Sequence, residues 1–416
     1  HRPALALFML VLVYTFNFID RQIIGILAVP IKADLNLSDA QLGMMGGLAF
    51  ALFYTGLGIP VAMLADRSDR SWIMTTALVL WSAMTALCGT VQNFWQLFAA
   101  RLGVGVGEAG GVAPAYSLIS DMYPARERAR ALGIYSFGIP IGSATGIVFG
   151  GLIATWIDWR FAFFIVGLAG IMIAPLFKLT VRDPGHGVYD GEAAKASKPG
   201  LGEVLSLLLR KPAFWLISVA AACSSMMGYG LFFWLPSYLV RSFDVSILEA
   251  SLYYGSILLV GGIAGIWLGG VLGDRLGAAS RSAYALIPAV AFVVTIPFYI
   301  FGLLAGNLNM AIALLLVPTA LGMVWLGPIL STIQHLVPSN MRATASAIFL
   351  FINNLIGIGL GTLAIGWLSD GLAQHFGKEA LRYSILAGTG FYVAAALLLF
   401  KASRVLDRDW HTPEAS

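Results

Sequence analysis

The residues of this chain that could do chemistry are four charged side chains embedded in apolar sequence. Asp20 and Arg21 adjoin each other, and the 17 residues before them (3–19) carry no charge. Arg101 and Glu108 are seven residues apart in a second apolar stretch. In a helix, seven residues bring two side chains within about 20° of the same face and about 10 Å apart along the axis. We therefore expect Arg101 and Glu108 to line one wall of a cavity without pairing directly.

Asp20 and Arg21 project about 100° apart on a helix, so we expect them to serve different partners. Arginine offers a planar fork of donors and stays protonated, which suits a phosphate group. We predict that Arg21, with Arg101 and Glu108, binds an anionic substrate. A buried carboxylate beside an arginine can change protonation when a ligand displaces that arginine, so Asp20 and Glu108 are the predicted proton-coupling residues. The alternative is a static ion-pair network that holds two helices together.

The composition indicates that lipid surrounds the elements carrying these residues. The 416 residues are 59% hydrophobic and only 11% charged, whereas about a quarter of a soluble domain is charged. Charges at the bilayer centre cost about 2.5–3.5 kcal/mol on insertion scales, so those present are expected to face a cavity or a partner. The net charge of +4 is attributed to loops, because no basic cluster with interleaved aromatic residues suggests nucleic-acid binding.

Charged residues, prolines and glycines divide the sequence into apolar runs that predict an all-α integral membrane protein with twelve transmembrane helices. Each apolar run is about long enough to cross a 30 Å hydrocarbon core, and none alternates with period two as a barrel strand would. The predicted spans are 4–30, 40–65, 72–91, 94–120, 129–156, 160–181, 212–240, 248–274, 281–306, 309–336, 342–369 and 382–403.

The spans divide the chain into two six-helix bundles, residues 1–182 and 212–416, joined by a polar linker over 183–211. The linker contains LGEVLSLLLR, which is either an amphipathic helix on the membrane surface or a simple tether. Of the 25 lysines and arginines, 17 fall in loops after even-numbered spans or in the tail, and 5 in loops after odd-numbered spans. This asymmetry predicts an inner-membrane protein with both termini in the cytoplasm.

The two halves repeat a pair of motifs. AMLADRSDR (62–70) follows span 2 and GVLGDRLGA (270–278) follows span 8, which places Asp66 and Asp274 208 residues apart. PARERARA (124–131) and PSNMRATA (338–345) precede spans 5 and 11 at a spacing of 214. Repeated bundles of this kind are typical of transporters whose site lies between the halves near the bilayer midplane.

The motifs carry a resemblance to the major facilitator superfamily. ADRSDR and GDRLG resemble its loop motif G-x-L-x-D-R-x-G-R, although the first copy has Ala62 and Asp69 at the glycine positions. RLGVG (101–105) resembles its span 4 motif, and GIPIGSATGIVFGG (138–151) its glycine-rich span 5 motif. The resemblance implies alternating access, in which loop charges form a conformational latch. The implied latch residues are Asp66, Arg67, Asp274, Arg275, Arg128 and Arg342.

Three segments are similar to the Spinster family within that superfamily: FIDRQ, RLGVGVGEAG and YPARERARALG. This similarity implies proton-coupled secondary transport of an amphipathic anionic lipid, such as a lysophospholipid or sphingosine 1-phosphate. The expected partners are that lipid, protons and membrane lipids, the expected state is a monomer, and no cofactor or metal is expected.

Other residues and functions stay open in the sequence. Phe233 and Asn353 are predicted to line the substrate path, while Asn354 and His335 have no assigned role. A transporter of small organic anions or drugs is the main alternative. An enzyme is disfavoured because the sequence has no H-E-x-x-H, G-x-S-x-G or Walker motif. A receptor or channel is disfavoured by the two-fold repeat.

Overall fold

The computed structural model describes residues 3–65, 67–124, 131–132, 134–185, 200–277, 279–338 and 341–410, without the side chains of residues 62, 274, 342 and 343. Throughout these ranges the chain forms helices joined by turns, and they contain no β-strand. Each of the twelve predicted spans is helical over most of its described residues. The predicted all-α fold class is therefore confirmed.

The spans, numbered in chain order, have the following bounds. They are Pro3–Ile26 (span 1); Asp39–Gly43, the π-helical Met44–Leu48 and Ala49–Ala65 (span 2); Arg70–Cys88 (span 3); Phe94–Glu108 and Val112–Met122 (span 4); Gly138–Trp156 (span 5); Trp159–Thr180 (span 6); Pro212–Phe243 (span 7); Ile247–Gly277 (span 8); Ala283–Leu303 (span 9); Leu308–Leu321 and Leu326–His335 (span 10); Arg342–Phe376 (span 11); and Ala380–Asp409 (span 12). A short helix, Ala28–Leu35, follows span 1, and a linker helix, Leu201–Leu209, precedes span 7.

The hydropathy of these helices agrees with twelve crossings. Ten helical stretches among the described residues are long and apolar enough to cross a membrane. One of them, Thr344–Asp409, contains both span 11 and span 12. Span 4, which is divided at 109–111, is not among the ten. The ten stretches therefore contain eleven spans, and span 4 is the twelfth.

Polar residues directly before several spans explain where those helices begin. The Ser38 hydroxyl accepts the N–H of Gln41, whose side chain accepts the N–H of Ser38, which closes a capping box at the start of span 2. Asp69, Asn93 and Asn307 cap spans 3, 4 and 10, each accepting the backbone N–H of the residue three positions further on. Such caps satisfy backbone donors that a helix leaves unpaired at its start.

The packing divides the chain into two compact units. Unit 1 comprises His1–Lys195, Phe232–Ser256 and Thr362–Asp370, and unit 2 comprises Ala196–Leu231, Ile257–Gly361 and Gly371–Ser416. Unit 1 thus contains spans 1–6 together with adjoining parts of spans 7 and 8 and a segment of span 11. The predicted division into bundles 1–182 and 212–416 was based on the repeat in the sequence, and it stays a prediction.

Within unit 1, a row of glycines brings span 5 against span 1. Gly138, Gly142, Gly146 and Gly150 recur every four residues and so share one face. A Cβ added at Gly146 would lie 2.8 Å from Ile19, and one at Gly150 would lie 2.8 Å from Ile26. This is the small-xxx-small packing by which membrane helices approach closely. Span 1, which carries Asp20 and Arg21, is held in position by this contact.

Candidate functional site

The four charged residues predicted from the sequence come together inside unit 1 as two ion pairs. The Arg21 Nε donates to the Glu108 Oε2 at 2.8 Å. The Arg101 Nη1 donates to the Asp20 Oδ1 at 3.4 Å. Both pairs run between span 1 and span 4, and within each span the two residues have opposite charge. Asp20 and Arg21 therefore have different partners, as the angle between them predicted.

Three of these charges are almost completely removed from solvent, and the Arg21 side chain is 12% exposed. Asp20 and Arg101 are each 1% exposed and Glu108 is 0% exposed. The hydroxyl of Thr85, on span 3, donates to the second oxygen of Asp20 at 2.5 Å. Isolated buried charges are very costly, so each one is expected to keep a partner of opposite charge at all times. If a ligand binds one member of a pair, the other member must therefore gain another charged partner or change its protonation.

Aromatic rings surround the guanidinium of Arg21. Its Cζ lies 5.0 Å from the ring centre of Phe18, 4.8 Å from that of Phe50 and 4.6 Å from that of Tyr54. Phe50 and Tyr54 are one turn apart on span 2 and stack on each other with centres 4.9 Å apart. Cation–π contacts of this kind each contribute about 0.5–2 kcal/mol. We call Phe18, Phe50 and Tyr54 the aromatic cage; the sequence analysis did not single them out.

Several buried polar atoms near these pairs have no hydrogen-bond partner among the described residues. They include the Glu108 Oε1, the Arg101 Nε, both side-chain polar atoms of Asn17 and the hydroxyl of Thr55. Asn17 lies one turn before Arg21 on span 1, and Thr55 directly follows Tyr54 of the cage. Unsatisfied buried polar groups are uncommon and costly in proteins. Their presence around the ion pairs is suited to binding a polar group or a proton.

Phe233 and Asn353 occupy packed positions in different units. The ring of Phe233 packs on Gly46 of span 2 and meets the Trp234 ring edge-on at 4.9 Å. In unit 2 the Asn353 Oδ1 accepts a hydrogen bond from the Ser225 hydroxyl at 2.8 Å, joining spans 11 and 7. Asn353 therefore bonds a neighbouring helix. The substrate-binding roles of Phe233 and Asn353 stay predictions.

The implied latch can be examined only in part. Asp66 and Arg128 lie outside the described residues, as do the side chains of Asp274 and Arg342. Arg67 and Arg275 are described and their side chains are exposed. The latch accordingly stays a prediction.

The first copy of the loop motif contributes a buried arginine that the sequence analysis treated only as a loop charge. Arg70 is 0% exposed at the start of span 3. Its guanidinium bonds both oxygens of Asp183, at 2.5 and 2.9 Å, together with the Ser117 hydroxyl at 2.7 Å and the Asp121 carboxylate. Arg70 thus ties the start of span 3 to the second half of span 4 and to the segment after span 6.

Asp183 lies beyond the end of span 6, where its pKa can be considered. Burial by itself would raise that pKa, but the hydrogen bonds from Arg70 outweigh burial and lower it from 3.8 to about 2. The folded-state pKa is therefore below the unfolded value, so this pair stabilises the folded protein fully above about pH 4. The stabilisation is lost as the pH falls towards 2.

We predict that Asp183→Asn lowers the free energy of unfolding by about 1.5–3 kcal/mol at neutral pH, because it weakens charge-assisted hydrogen bonds to a buried arginine. Thermal unfolding in detergent, followed between neutral and acid pH, measures the effect. The variant should also lose part of the acid sensitivity of the wild type. Asp407→Asn, at an exposed carboxylate of span 12, is the control. Equal stability of wild type and Asp183→Asn would contradict the prediction.

A second cluster missed by the sequence analysis joins spans 2, 7 and 11 in unit 1. Arg241 donates to both oxygens of Asp39 at 2.7 Å, and Lys32 donates to one of them at 2.6 Å. The Ser369 hydroxyl also donates to Asp39 at 2.7 Å. The carboxylate of Asp370 accepts the backbone N–H of Asp39 at 3.0 Å. We call these five residues the Asp39 cluster.

Two further hydrogen bonds extend this junction along the same spans. The Trp234 indole donates to the carbonyl of Thr362 at 2.9 Å, and the Thr362 hydroxyl donates to the carbonyl of Gly43 at 2.8 Å. Gly43 directly precedes the π-helical segment of span 2. Spans 7 and 11 are therefore fastened to the first part of span 2 by both charged and neutral groups.

Comparisons with known proteins agree with this geometry. The sequence model of the Major Facilitator Superfamily matches residues 10–362. A protein of Mycolicibacterium smegmatis named MFS-type efflux pump is 33% identical over 408 residues, which are 96% of this chain and 92% of that protein. Human protein spinster homolog 1 is 26% identical over 411 residues, 92% of this chain and 78% of that protein.

Solved structures give the same result. A bacterial homologue of the human lysosomal transporter Spinster, in an inward-facing and unoccupied conformation, is 33% identical with a TM-score of 0.89 over 99% of both chains. The inward-facing and occupied conformation gives a TM-score of 0.85 over 98% of both chains. The protein is thus a multi-pass membrane transporter, not an enzyme, and belongs to the Spinster family of the major facilitator superfamily.

Proposed function

We propose that this protein is a proton-coupled secondary transporter of an amphipathic anionic lipid, such as a lysophospholipid. The observation that carries the proposal is the pair of Arg21 with the buried Glu108, beside the aromatic cage. A guanidinium binds a phosphate through parallel hydrogen bonds, and the surrounding rings offer apolar surface to the part of the lipid next to the phosphate. One basic pole bordered by apolar surface suits an amphipathic anion.

Charge balance supplies the coupling step. When the substrate phosphate binds Arg21, Glu108 loses its partner while remaining inside the protein. A buried carboxylate without a partner favours its neutral form, so Glu108 takes up a proton as the substrate binds. Release of the substrate restores the Arg21–Glu108 pair and expels the proton. Asp20 and Arg101 form a second pair on the same two spans that can exchange partners in the same way.

The Asp39 cluster supports alternating access. It lies at the end of unit 1 where span 1 ends and span 2 begins, which is opposite the start of span 1. From the distribution of lysine and arginine we propose that the termini are cytoplasmic in the inner membrane, which assigns the cluster to the periplasmic side. Its bonds between spans 2, 7 and 11 hold that side closed, and they must break when it opens. The similarity to inward-facing relatives is consistent with this assignment.

We predict that Asp39→Ala shifts the population of conformers towards opening on the periplasmic side. The substitution removes the hydrogen-bond acceptor shared by Arg241, Lys32 and Ser369. Spin-label distances between spans 2 and 7 at that end, measured in lipid nanodiscs, would show a larger share of long distances. Asp34→Ala, which removes an exposed carboxylate at the same end, is the matched control. An unchanged distance distribution for Asp39→Ala would exclude a gating role.

Uptake of labelled lysophospholipid by proteoliposomes, with and without a proton gradient, tests the proposed function. Gradient-dependent uptake by the wild type is the expected result. The second candidate function is export of small organic anions or drugs, which the similarity to a mycobacterial efflux pump favours. Transport of a soluble organic anion without transport of lysophospholipid would support this candidate and overturn the first.

A further inference from the structure

We propose that a groove between spans 7 and 12 binds an anionic phospholipid of the cytoplasmic leaflet as a resident lipid, separate from the transported substrate. The groove lies in unit 2 and has a volume of about 340 Å³. Pro212, Trp215, Leu216 and Val219 of span 7 form one wall, and Leu398 and Lys401 of span 12 form the other. None of these residues belongs to the Arg21 site or to the Asp39 cluster.

The walls of the groove suit an acyl chain. The four residues of span 7 recur at helical spacing along two turns, so they form one continuous apolar stripe. Leu398 and Lys401 are three residues apart on one side of the facing helix, where Leu398 is half-buried and Lys401 is exposed. The groove therefore runs along the membrane normal, apolar over most of its length and charged at the end where span 7 begins and span 12 approaches the C-terminus.

The charged end suits a phosphate. Lys401 is exposed and makes no hydrogen bond or ion pair within the described part of the chain. Arg404, three residues further along span 12, is also exposed on the same helix. Lys211 nearby is engaged, since its Nζ donates to the carbonyl of Asp409 at 2.5 Å. Basic pockets between helices on the cytoplasmic side characteristically bind anionic lipid headgroups.

The linker helix places this charged end at the depth of lipid headgroups. Its Leu201, Leu205 and Leu209 are exposed and four residues apart, whereas Val204 and Leu208 are buried against the bundle. An exposed apolar stripe on a short helix beside a span is typical of a helix lying in the membrane interface. Of the two alternatives for this segment, the surface helix is the one that the exposed leucines favour.

The linker helix is also bonded to the groove itself. The Trp215 indole N–H donates to the carbonyl of Leu208 at 3.1 Å. Tryptophan and lysine are both among the residues that anchor helices at the membrane interface, and here both line one apolar groove. An anionic phospholipid would therefore place its phosphate at Lys401 and an acyl chain against Trp215, Val219 and Leu398.

The proposal is tested by lipid-dependent thermal stability of the detergent-purified protein, with phosphatidylglycerol and phosphatidylcholine of identical chains as probes. We expect the wild type to bind phosphatidylglycerol about fivefold more tightly, since one basic residue near the membrane surface contributes about that factor. Lys401→Ala should remove this preference and leave phosphatidylcholine binding unchanged. Leu398→Trp, which fills the groove, should weaken both lipids; Val219→Phe serves the same purpose if Leu398→Trp does not fold.

Lys178→Ala is the matched control. Lys178 lies at the corresponding end of span 6 and beside Trp72, but its amine is paired with Asp69 at 3.2 Å. This variant should keep the preference for phosphatidylglycerol. The proposal is overturned if Lys401→Ala keeps the preference, if Lys178→Ala loses it equally, or if phosphatidylcholine binds the wild type as tightly.

Discussion

Transport by the Glu108→Gln variant is expected to lose its dependence on pH and on an imposed proton gradient. The Glu108 side chain is 0% exposed and its Oε2 accepts a hydrogen bond from Arg21. A glutamine keeps the shape and can still accept that bond, but it cannot take up a proton. The variant should exchange labelled for unlabelled substrate across the membrane, yet it should not accumulate substrate against a gradient. Counterflow and gradient-driven uptake in the same proteoliposomes separate these two activities.

Stability must be checked in parallel, because the variant leaves the Arg21 charge without its carboxylate. Breaking a buried ion pair in this way costs about 3–5 kcal/mol, so thermal unfolding and gel filtration accompany the assay. Glu203→Gln removes an exposed carboxylate from the linker helix and should retain the wild-type pH profile. A wild-type pH profile in well-folded Glu108→Gln would exclude Glu108 as the coupling residue.

The second large effect is expected for Arg21→Ala, which should weaken the binding of phosphate-headed lipids by about 10- to 100-fold. This range corresponds to the loss of hydrogen bonds to a charged group. Binding of a monoacylglycerol with the same chain, which lacks the phosphate, should change little. The ratio of the two affinities therefore reports the headgroup contact itself, independently of any general loss of active protein.

Two further variants separate binding from folding. The double variant Arg21→Gln with Glu108→Gln has no unpaired charge at this position, so it should fold. It should still bind lysophospholipid no more tightly than monoacylglycerol. Arg21→Lys keeps the charge but loses the planar group that stacks in the aromatic cage, so an intermediate affinity is expected. If Arg21→Ala binds lysophospholipid with wild-type affinity, the headgroup site lies elsewhere and the proposed function loses its main support.

The sequence predicted the site residues best where a residue type conflicted with its surroundings. Asp20, Arg21, Arg101 and Glu108 stand out because charge is costly inside an apolar helix. Helical geometry also indicated that the two charged residues on the same span would not pair with each other. It could not indicate that the pairs cross between spans 1 and 4, because that depends on which spans are neighbours and at what height they meet.

The two missed clusters involve charges at span ends, which resemble ordinary loop charges in a sequence. Arg70 is the final residue of a loop motif, and its burial results from Asp121 and Asp183 converging on it from two other elements. Asp39 contacts Ser369, a residue 330 positions away in the chain. Contacts over such separations leave no periodic signal. The aromatic cage was missed for a similar reason, since aromatic residues are numerous throughout the apolar spans.

The π-helical segment of span 2 links the Asp39 cluster to the aromatic cage through helical phase. Met44–Leu48 follows the part of span 2 that begins with Asp39 and precedes the part that carries Phe50 and Tyr54. A π-turn amounts to an α-helix with one residue inserted, and one residue corresponds to about 100° of rotation. Conversion of this segment to regular α-helix would rotate the part that carries Phe50 and Tyr54 by about 100° relative to the part that begins with Asp39. Span 2 would then couple the two sites, because release of the Asp39 cluster at one end of the span would change the direction in which Phe50 and Tyr54 face.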